Sequence, residues 1–382
     1  MSDSPSLRNA AAAVQQQDAA AVSALFSARR LRLARESAGL TQTALAGQVE
    51  LTSAAISQFE KGEARPAAQT LLRLADALGF PVQFFATGTA ASSMEFLRGQ
   101  DEGERGFFRS LRSISVTDRR RALALSHLVH DLADRLARTV RLPATDFPRH
   151  PVPPDAALAA AEDCAARVRA AWNLPPGPVP DVVAALERHG IVCARYHVGT
   201  HTVDAFSVPF PDRPVVILGD DKAKRDRERF SAAHELGHLV MHDPEHAGTK
   251  MIEAQAHRFA AAFLMPSGDI HAELPSAPAW NQLVALKHRW GVSMGALLMR
   301  ARTLDIMQES TYQQAVRYMS MRGWRVNEPG DLGAAEAPRL LCLAAEHAGI
   351  TATALSYETG WPARWIDDIL DASSDQRPQL QL

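Results

Sequence analysis

Long apolar runs, clustered cysteines and a strong net charge are all absent from this chain of 382 residues. Because no 18 apolar residues follow one another, we expect no membrane-spanning helix and no membrane partner. The N-terminus lacks a basic start followed by an apolar core, so we expect no signal peptide and a cytoplasmic location. The three cysteines, Cys164, Cys193 and Cys342, are widely spaced and odd in number. They therefore indicate neither a disulfide framework nor a cysteine zinc site.

The net charge of -2 argues against a wholly basic protein that coats nucleic acid. It leaves room for one basic domain that is balanced by acidic neighbours. Hydrophobic residues make up 46% of the chain, which is enough for ordinary buried cores, and the length suits two or three domains.

Shifts in composition divide the chain into five predicted segments, mainly α-helical overall. Three β-branched runs, IVCARYHV, DAFSVPF and PVVILG, predict a small sheet and therefore an α+β domain in the second half. The predicted segments are a loosely ordered tail (1–24), a five-helix domain (25–87), a linker with an Arg-rich helix (88–150), the α+β domain (151–305) and a helical C-terminal region (306–382).

The N-terminal five-helix segment has the rhythm of a helix-turn-helix. Thr41 is placed to cap a helix that starts at Gln42, and Thr52 to cap a second helix that turns Ile56 into the core. In this motif the second helix lies in the major groove, while Gln42 and the cap hydroxyls contact phosphate. The predicted DNA-binding residues are Gln42, Thr52, Ser53, Ala54, Ser57 and Gln58.

Between Arg29 and Phe85 there are seven basic and five acidic residues, a modestly basic balance that also fits a protein-binding or dimerisation module. The segment resembles the Cro/repressor-type (XRE) helix-turn-helix domains, which implies double-stranded operator DNA as a partner. Because such domains often pair on half-sites, we also expect a homodimer. The resemblance rests on Thr41, Gln42, Leu45, Ala46, Ile56, Ser57, Glu60, Gly62, Pro66, Leu71, Ala75 and Leu78.

The most informative five residues are His234-Glu235-Leu236-Gly237-His238, an HExxH motif. On a helix, His234 and His238 share one face and can bind one metal ion together, with Glu235 beside them as a general base. Zinc in such sites lowers the pKa of a coordinated water to about 7. Gly237 is expected to leave room beside the metal. The alternative without a functional role is that these side chains are simply solvated or hydrogen-bonded within the protein.

A catalytic zinc site of this type needs a third protein ligand, for which we choose Glu253 at the start of the next predicted helix. Asp243, Glu245 and His242 are the competing ligands. His242 could instead support a ligand from behind or act as an electrophile. His257 shares a helix face with Glu253 and could orient it, although a plain packing role is as good an account. Zinc is favoured over manganese or iron by this ligand set.

The stretches RFSAAHELGHLVMH and EAQAHRFAAAFLMP resemble the ImmA/IrrE family of metallopeptidases, and the likeness extends to LKHRWGVSMGALLMRA. The resemblance implies a zincin-like domain in which His234, His238 and Glu253 bind Zn²⁺ and Glu235 is the catalytic acid and base. His257 stands where the family usually has Asn, so the role of that Asn is not carried over. The resemblance also implies that the substrate is a repressor or antitoxin protein, or the chain itself, and that its cleavage relieves repression during stress or mobile-element induction.

Two other functions remain open at this point. The chain could be a one-component transcription factor whose metallopeptidase-like domain is a non-proteolytic sensor, or an antitoxin-type repressor. The operator, the protein substrate and the inducing signal are not identified by the sequence.

The remaining segments carry weaker signals. Arg119, Arg120 and Arg121 could contact phosphate, but a solvated face is the preferred interpretation. The segment ITATALSYETGWPARWIDDIL predicts two short helices joined at a glycine. Packing or dimer contact is the preferred role for them, and a second nucleic-acid contact is the alternative. We find no internal repeat from the sequence alone.

Overall fold

A computed structural model of the protein describes residues 18–86, 115–196, 205–219, 224–243 and 249–371. This part of the chain is mainly helical with one small sheet, which confirms the predicted fold class. Its helices and strands are α1 (Ala28–Ser37), α2 (Gln42–Gln48), α3 (Ser53–Lys61), α4 (Ala68–Leu78), a 3-10 helix (Val82–Phe85), α5 (Val116–Ala137), α6 (Ala159–Ala171), α7 (Val182–Arg188), β1 (Val192–Tyr196), β2 (Ala205–Val208), β3 (Val215–Gly219), α8 (Arg225–Met241), α9 (Lys250–Leu264), α10 (Ser267–Ile270), α11 (Trp280–Trp290), α12 (Met294–Thr303), α13 (Glu309–Met321), α14 (Leu340–Ala348), α15 (Ala352–Thr359) and α16 (Ala363–Leu370).

The described residues form two compact units. The first contains 18–86, 115–141 and 341–371, and the second contains the described residues between 142 and 340. The segment predicted as one C-terminal region is thus shared, because α13 lies in the second unit and both α15 and α16 lie in the first. Among the described helices, none combines the length and the apolar character that a membrane span requires.

Residues 18–24, which the sequence placed in a loosely ordered tail, are helical in the first unit. They bury Ala19 completely and Val22 almost completely, so their alanine-rich composition serves packing. The linker predicted between the helix-turn-helix segment and the Arg-rich helix falls largely outside the described residues.

The caps predicted for the helix-turn-helix are present. The hydroxyl of Thr41 accepts a hydrogen bond from Ala44 N–H at 3.1 Å, and that of Thr52 accepts one from Ala55 N–H at 3.1 Å. Each bond satisfies a backbone donor that the first turn of a helix leaves open. Ile56 is fully buried, as expected, and α3 ends at Gly62, where φ is +75°.

The Arg-rich helix, which the sequence predicts from about Thr117 to Val140, is α5 (Val116–Ala137). Arg120 lies 3.8 Å from Glu36, and the side chain of Arg121 packs over Gly39. Both contacts are made within the first unit, and the choice between a solvated face and a phosphate contact stays a prediction.

The three β-branched runs form one sheet with strand order β1-β3-β2. β1 runs parallel to β3 and pairs Val192 with Val215, whereas β2 is antiparallel and pairs Phe206 with Ile217. The central strand is buried on both faces except at its last residue, which explains its unbroken apolar sequence. β2 is an edge strand of this sheet.

Helices α8 and α9 pack against each other in the core of the second unit. Phe259 of α9 lies over Gly237 of α8, where an added Cβ would meet the phenylalanine ring at 3.0 Å. Gly237 therefore makes room for Phe259 rather than for a metal, which corrects the sequence interpretation. The close approach brings the polar residues of both helices to one end of a cleft.

Candidate metal centre

Two histidines of α8 place their ring nitrogens side by side. His234 and His238 are one helical turn apart, and their Nε2 atoms are separated by 3.0 Å. The side chain of His238 is almost fully buried, while that of His234 is 12% exposed and lines the cleft. Burial lowers the pKa of His238 to about 3, so its ring is neutral at pH 7. A neutral ring nitrogen is what a metal ion requires of histidine.

Glu253 reaches the same point from the first turn of α9. Its Oε2 lies 3.2 Å from His234 Nε2, and its Oε1 lies 3.6 Å from His238 Nε2. The structure thus brings together the three side chains predicted as ligands, with one possible ligand atom from each within 4.8 Å of the others. Ligands at bond lengths of 2.0–2.1 Å in a tetrahedral zinc site are separated by about 3.3 Å. The observed spacing fits such an ion.

The charge of Glu253 also suits a metal. Burial alone would raise the pKa of its carboxyl, but the imidazole rings of His234 and His238 beside it hold that pKa well below its ordinary value. The group is therefore ionised at neutral pH and supplies a negative charge to the cluster.

Behind His238, a chain of hydrogen bonds determines which of its nitrogens carries the proton. Gln255 is fully buried, and its Nε2 donates to the carbonyls of Pro153 and Ala156 at 2.9 and 3.2 Å. Its Oε1 is therefore the atom that faces His242 Nε2, 3.1 Å away, and this nitrogen must be the donor. His242 Nδ1 is left as an acceptor.

His238 Nδ1 lies 3.0 Å from His242 Nδ1 and accordingly donates to it. The proton of His238 is thus on Nδ1, and the lone pair of Nε2 is directed toward Glu253 and His234. His234 has no comparable support, because its buried Nδ1 has no hydrogen-bond partner among the described residues. His242 sits behind a ligand candidate, one of the two supporting roles expected for it, and Gln255 was not expected.

The competing ligands lie elsewhere or outside the described part. Asp243 is half-exposed and accepts a hydrogen bond from Arg149 at 2.8 Å, and Glu245 lies outside the described residues. His257 is exposed, and its ring packs edge-on against that of His234 with a centroid distance of 4.8 Å. It therefore supports the position of the His234 ring.

Glu235 is held by the edge strand of the sheet. It is 4% exposed, and its Oε2 accepts a hydrogen bond of 2.6 Å from the hydroxyl of Ser207, a fully buried residue of β2. Burial raises the pKa of Glu235 to about 7, against the lowering effects of His234 and of the Ser207 hydrogen bond. A carboxyl that gains and loses a proton near neutral pH is suited to general acid and base work.

These groups face a cleft of about 1600 Å³ within the second unit. The volume exceeds that of pockets that enclose small ligands, which are commonly about 300–1,000 Å³. The residues His234, Glu235, His238 and Glu253 line it, and α12, α13 and the segment 325–333 contribute its far wall.

The predicted DNA-binding residues lie together in the first unit. Thr52, Ser53, Ala54 and Gln58 are exposed at the start and outer face of α3, and Ser57 is half-buried. Gln42 donates to Glu60 at 2.7 Å, and Glu60 in turn accepts from Arg35 at 2.8 Å. This arrangement fixes the Gln42 amide against α3, which the sequence did not suggest. Their contacts with DNA remain a prediction.

The helix-turn-helix segment and the segment with the histidine–glutamate cluster each match a known domain family. Residues 28–83 match the helix-turn-helix domain family, and residues 186–302 match the family described as IrrE N-terminal-like domain, a group of M78 peptidases. No curated protein gives a significant match to the chain. A helix-turn-helix domain implies a DNA-binding regulator, and the IrrE-like domain implies a metallopeptidase-like function. The chain therefore joins a helix-turn-helix domain to an IrrE N-terminal-like domain.

Proposed function

We propose that the chain is a DNA-binding transcriptional regulator with a zinc-dependent peptidase activity that cleaves a repressor or antitoxin protein, or the chain itself. One observation carries this proposal. Two histidine nitrogens and a carboxylate converge within 4.8 Å of one another, beside a buried glutamate of raised pKa, and line an open cleft. Two histidines and one glutamate are a donor set used by catalytic zinc sites, which keep one position open.

Each side chain has a distinct task in this proposal. His234, His238 and Glu253 hold the ion, and the His242–Gln255 pair keeps the Nε2 lone pair of His238 available. When bound, zinc lowers the pKa of water and polarises a carbonyl. Glu235 takes a proton from the attacking water on a carboxylate oxygen, and Ser207 keeps that carboxylate in place. As the peptide C–N bond breaks, Glu235 passes the proton to the leaving amine.

The size of the cleft favours a protein substrate. Its volume of about 1600 Å³ is large for a metabolite pocket and suits an extended segment of chain. With the helix-turn-helix domain on the same polypeptide, the peptidase would act where the chain binds its operator, as a cytoplasmic homodimer on paired half-sites. A stress signal that starts proteolysis would then relieve repression.

The test compares the native protein with Glu235→Gln, each loaded with zinc, against repressor-like proteins encoded beside its gene and against the chain itself. Glu309→Gln, on an exposed part of α13, is the matched control. We expect discrete fragments from the native and control proteins only, with new termini located by mass spectrometry. If all three bind zinc stoichiometrically and none cuts, the site acts as a sensor and the peptidase proposal fails.

A further inference from the structure

Residues 338–370 repeat residues 28–60 with a constant offset of 310. Twelve of the 33 paired positions are identical, and the segments AGLTQTAL (38–45) and AGITATAL (348–355) differ at only two positions. We call residues 28–60 the first copy and residues 338–370 the second copy. The repeat is hard to detect in the sequence alone because the second half of the second copy has diverged.

The structure of the second copy follows that of the first element by element. Helices α14, α15 and α16 correspond to α1, α2 and α3. Both α2 and α15 begin at the residue directly after a capping threonine. Thr351 accepts from Ala354 N–H at 3.2 Å, as Thr41 does from Ala44. The glycine before each cap, Gly39 or Gly349, has a φ of +69° or +65°.

The turn and the core also correspond. The turn that follows α2 and the turn that follows α15 have a residue of positive φ at the same position, +52° at Glu50 and +78° at Gly360. Leu355 and Ile366 are completely buried, like Leu45 and Ile56 at the same positions. Caps, turn and core residues thus recur at the same spacing, which defines a second helix-turn-helix.

The end of the helix that would enter a DNA groove differs between the copies. In the first copy, Thr52 and Ser53 are exposed. In the second, Pro362 is buried and Ala363 is half-buried, and the guanidinium of Arg364 lies over Gly79. The start of α16 is therefore covered by the turn that follows α4.

Two tryptophans form this covered contact. Trp361 is completely buried, with its ring centroid 5.3 Å from that of Phe84, and Trp365 lies edge-on to Phe80 at 5.2 Å. The indole N–H of Trp361 donates to Asp131 of α5 at 3.0 Å. Aromatic pairs of this kind stabilise a contact beyond the area they bury.

The contact supports the first copy from behind. The carbonyl of Phe84 accepts from Arg30 at 2.9 Å, and that of Phe85 accepts from Ser27 N–H at 2.8 Å. Ser27 is the cap of α1. A residue that packs on Phe84 therefore holds the start of α1 in position.

The charges of the copies are opposite. Residues 28–61 contain five basic and three acidic residues, whereas residues 338–371 contain two basic and five acidic ones. At the positions of Ser57 and Gln58 the second copy has Asp367 and Asp368. Because phosphates dominate the affinity of proteins for DNA, two carboxylates there oppose binding.

We propose that the second copy is a diverged helix-turn-helix that no longer contacts DNA and instead docks, through Trp361 and Trp365, on the Phe80–Phe85 turn of the DNA-binding domain. Of the two copies, only the first then contacts DNA, through α3, and the C-terminal helices are its internal support. Of the two tests of this proposal, the DNA-binding test rests on the proposed function, in which the first copy binds an operator, and the docking test does not.

The DNA test exchanges one residue between the copies in the full-length chain. Ser57→Asp in α3 and Asp367→Ser in α16 are measured by fluorescence anisotropy on a duplex selected by the native chain from a random library. We expect Ser57→Asp to weaken binding at least about tenfold and Asp367→Ser to change it less than about twofold. Tighter binding or an altered preferred sequence for Asp367→Ser would overturn the proposal.

The docking test is a double-mutant cycle with Phe80→Leu and Trp365→Leu, read out as the urea unfolding midpoint of the first unit. Because the rings touch, we expect the unfolding midpoint of the double variant to fall by clearly less than the sum of the falls in the two single variants. Additive losses would contradict docking through this pair, whether or not the chain binds DNA. If Trp365→Leu does not fold, Trp365→Phe takes its place in the cycle.

Discussion

Gln255 Oε1 lies 3.1 Å from Nε2 of His242, and through that histidine it determines the tautomer of His238. The amide cannot turn over, because its nitrogen is bound to two backbone carbonyls. A glutamine two residues after one proposed ligand thereby supports another ligand on the neighbouring helix. Such outer hydrogen bonds usually contribute about 10–100-fold to metal affinity.

Replacing Gln255 with Met should weaken zinc binding by about tenfold or more. Met fills a similar volume but offers no strong acceptor to His242 Nε2–H, so both histidines can adopt the other tautomer and His238 Nε2 can become protonated. The measurement is competition for zinc with a chromophoric chelator. Gln282→Met, on the exposed surface of α11, is the control. Equal affinity of the Gln255 variant and the native protein would refute the tautomer argument.

Replacing Ser207 with Ala should lower the peptidase rate about tenfold while leaving zinc affinity unchanged. The hydroxyl lowers the pKa of Glu235 through a 2.6 Å hydrogen bond, so its removal raises that pKa above its present value of about 7. The acid limb of the pH–rate profile should therefore move to higher pH. The profile of kcat/KM is the measurement, and an unmoved acid limb with an intact rate would show that Ser207 does not act on Glu235.

Local signals in the sequence predicted much of this arrangement. A threonine cap depends on three or four adjacent residues, and the four-residue spacing of His234 and His238 is a property of any helix. For the same reason the two threonine caps and the shared helix face of the two histidines follow from the sequence pattern. The choice of Glu253 rests on one further step, that two consecutive helices pack.

Contacts between distant residues were not predictable in this way. Ser207 is 28 residues from Glu235, and Gln255 is 102 residues from Pro153, so neither pair leaves a periodic trace. The role of Gly237 was misinterpreted because the ring that requires the space, Phe259, is on another helix. For the second helix-turn-helix, the sequence pattern indicated only the last two helices, α15 and α16, and not its first helix, α14.

Replacing Gly237 with Ala should destabilise the second unit by about 1–3 kcal/mol. The new methyl group would lie 3.0 Å from the ring of Phe259, which is completely buried and cannot move without disturbing α9. Gly268→Ala is the matched control, because a Cβ there meets nothing within 4 Å and alanine favours the helix. Urea unfolding should show a lower midpoint for the first variant only. Equal midpoints would mean that α8 and α9 separate easily.

Replacing Glu187 with Gln should remove part of the pH dependence of stability. Glu187 is 6% exposed and accepts hydrogen bonds of 3.1 Å from the backbone N–H groups of Arg339 and Leu340. Burial nevertheless raises its pKa to about 7, against the lowering effect of those bonds. The unfolded chain loses this proton near pH 4.5, whereas the folded chain keeps it until about pH 7.

Folding therefore costs more as the pH rises through this window, by up to about 3 kcal/mol for this group. Below pH 4.5 both states are protonated and the cost is absent, and above pH 7 it is constant. Glutamine has no such proton, so the stability of Glu187→Gln relative to the native protein should increase between pH 5 and pH 8. Urea unfolding of both proteins at several pH values measures this difference. A difference that stays constant would mean that Glu187 titrates as it does in the unfolded chain, and that the backbone N–H groups of Arg339 and Leu340 fully offset the effect of its burial on the pKa.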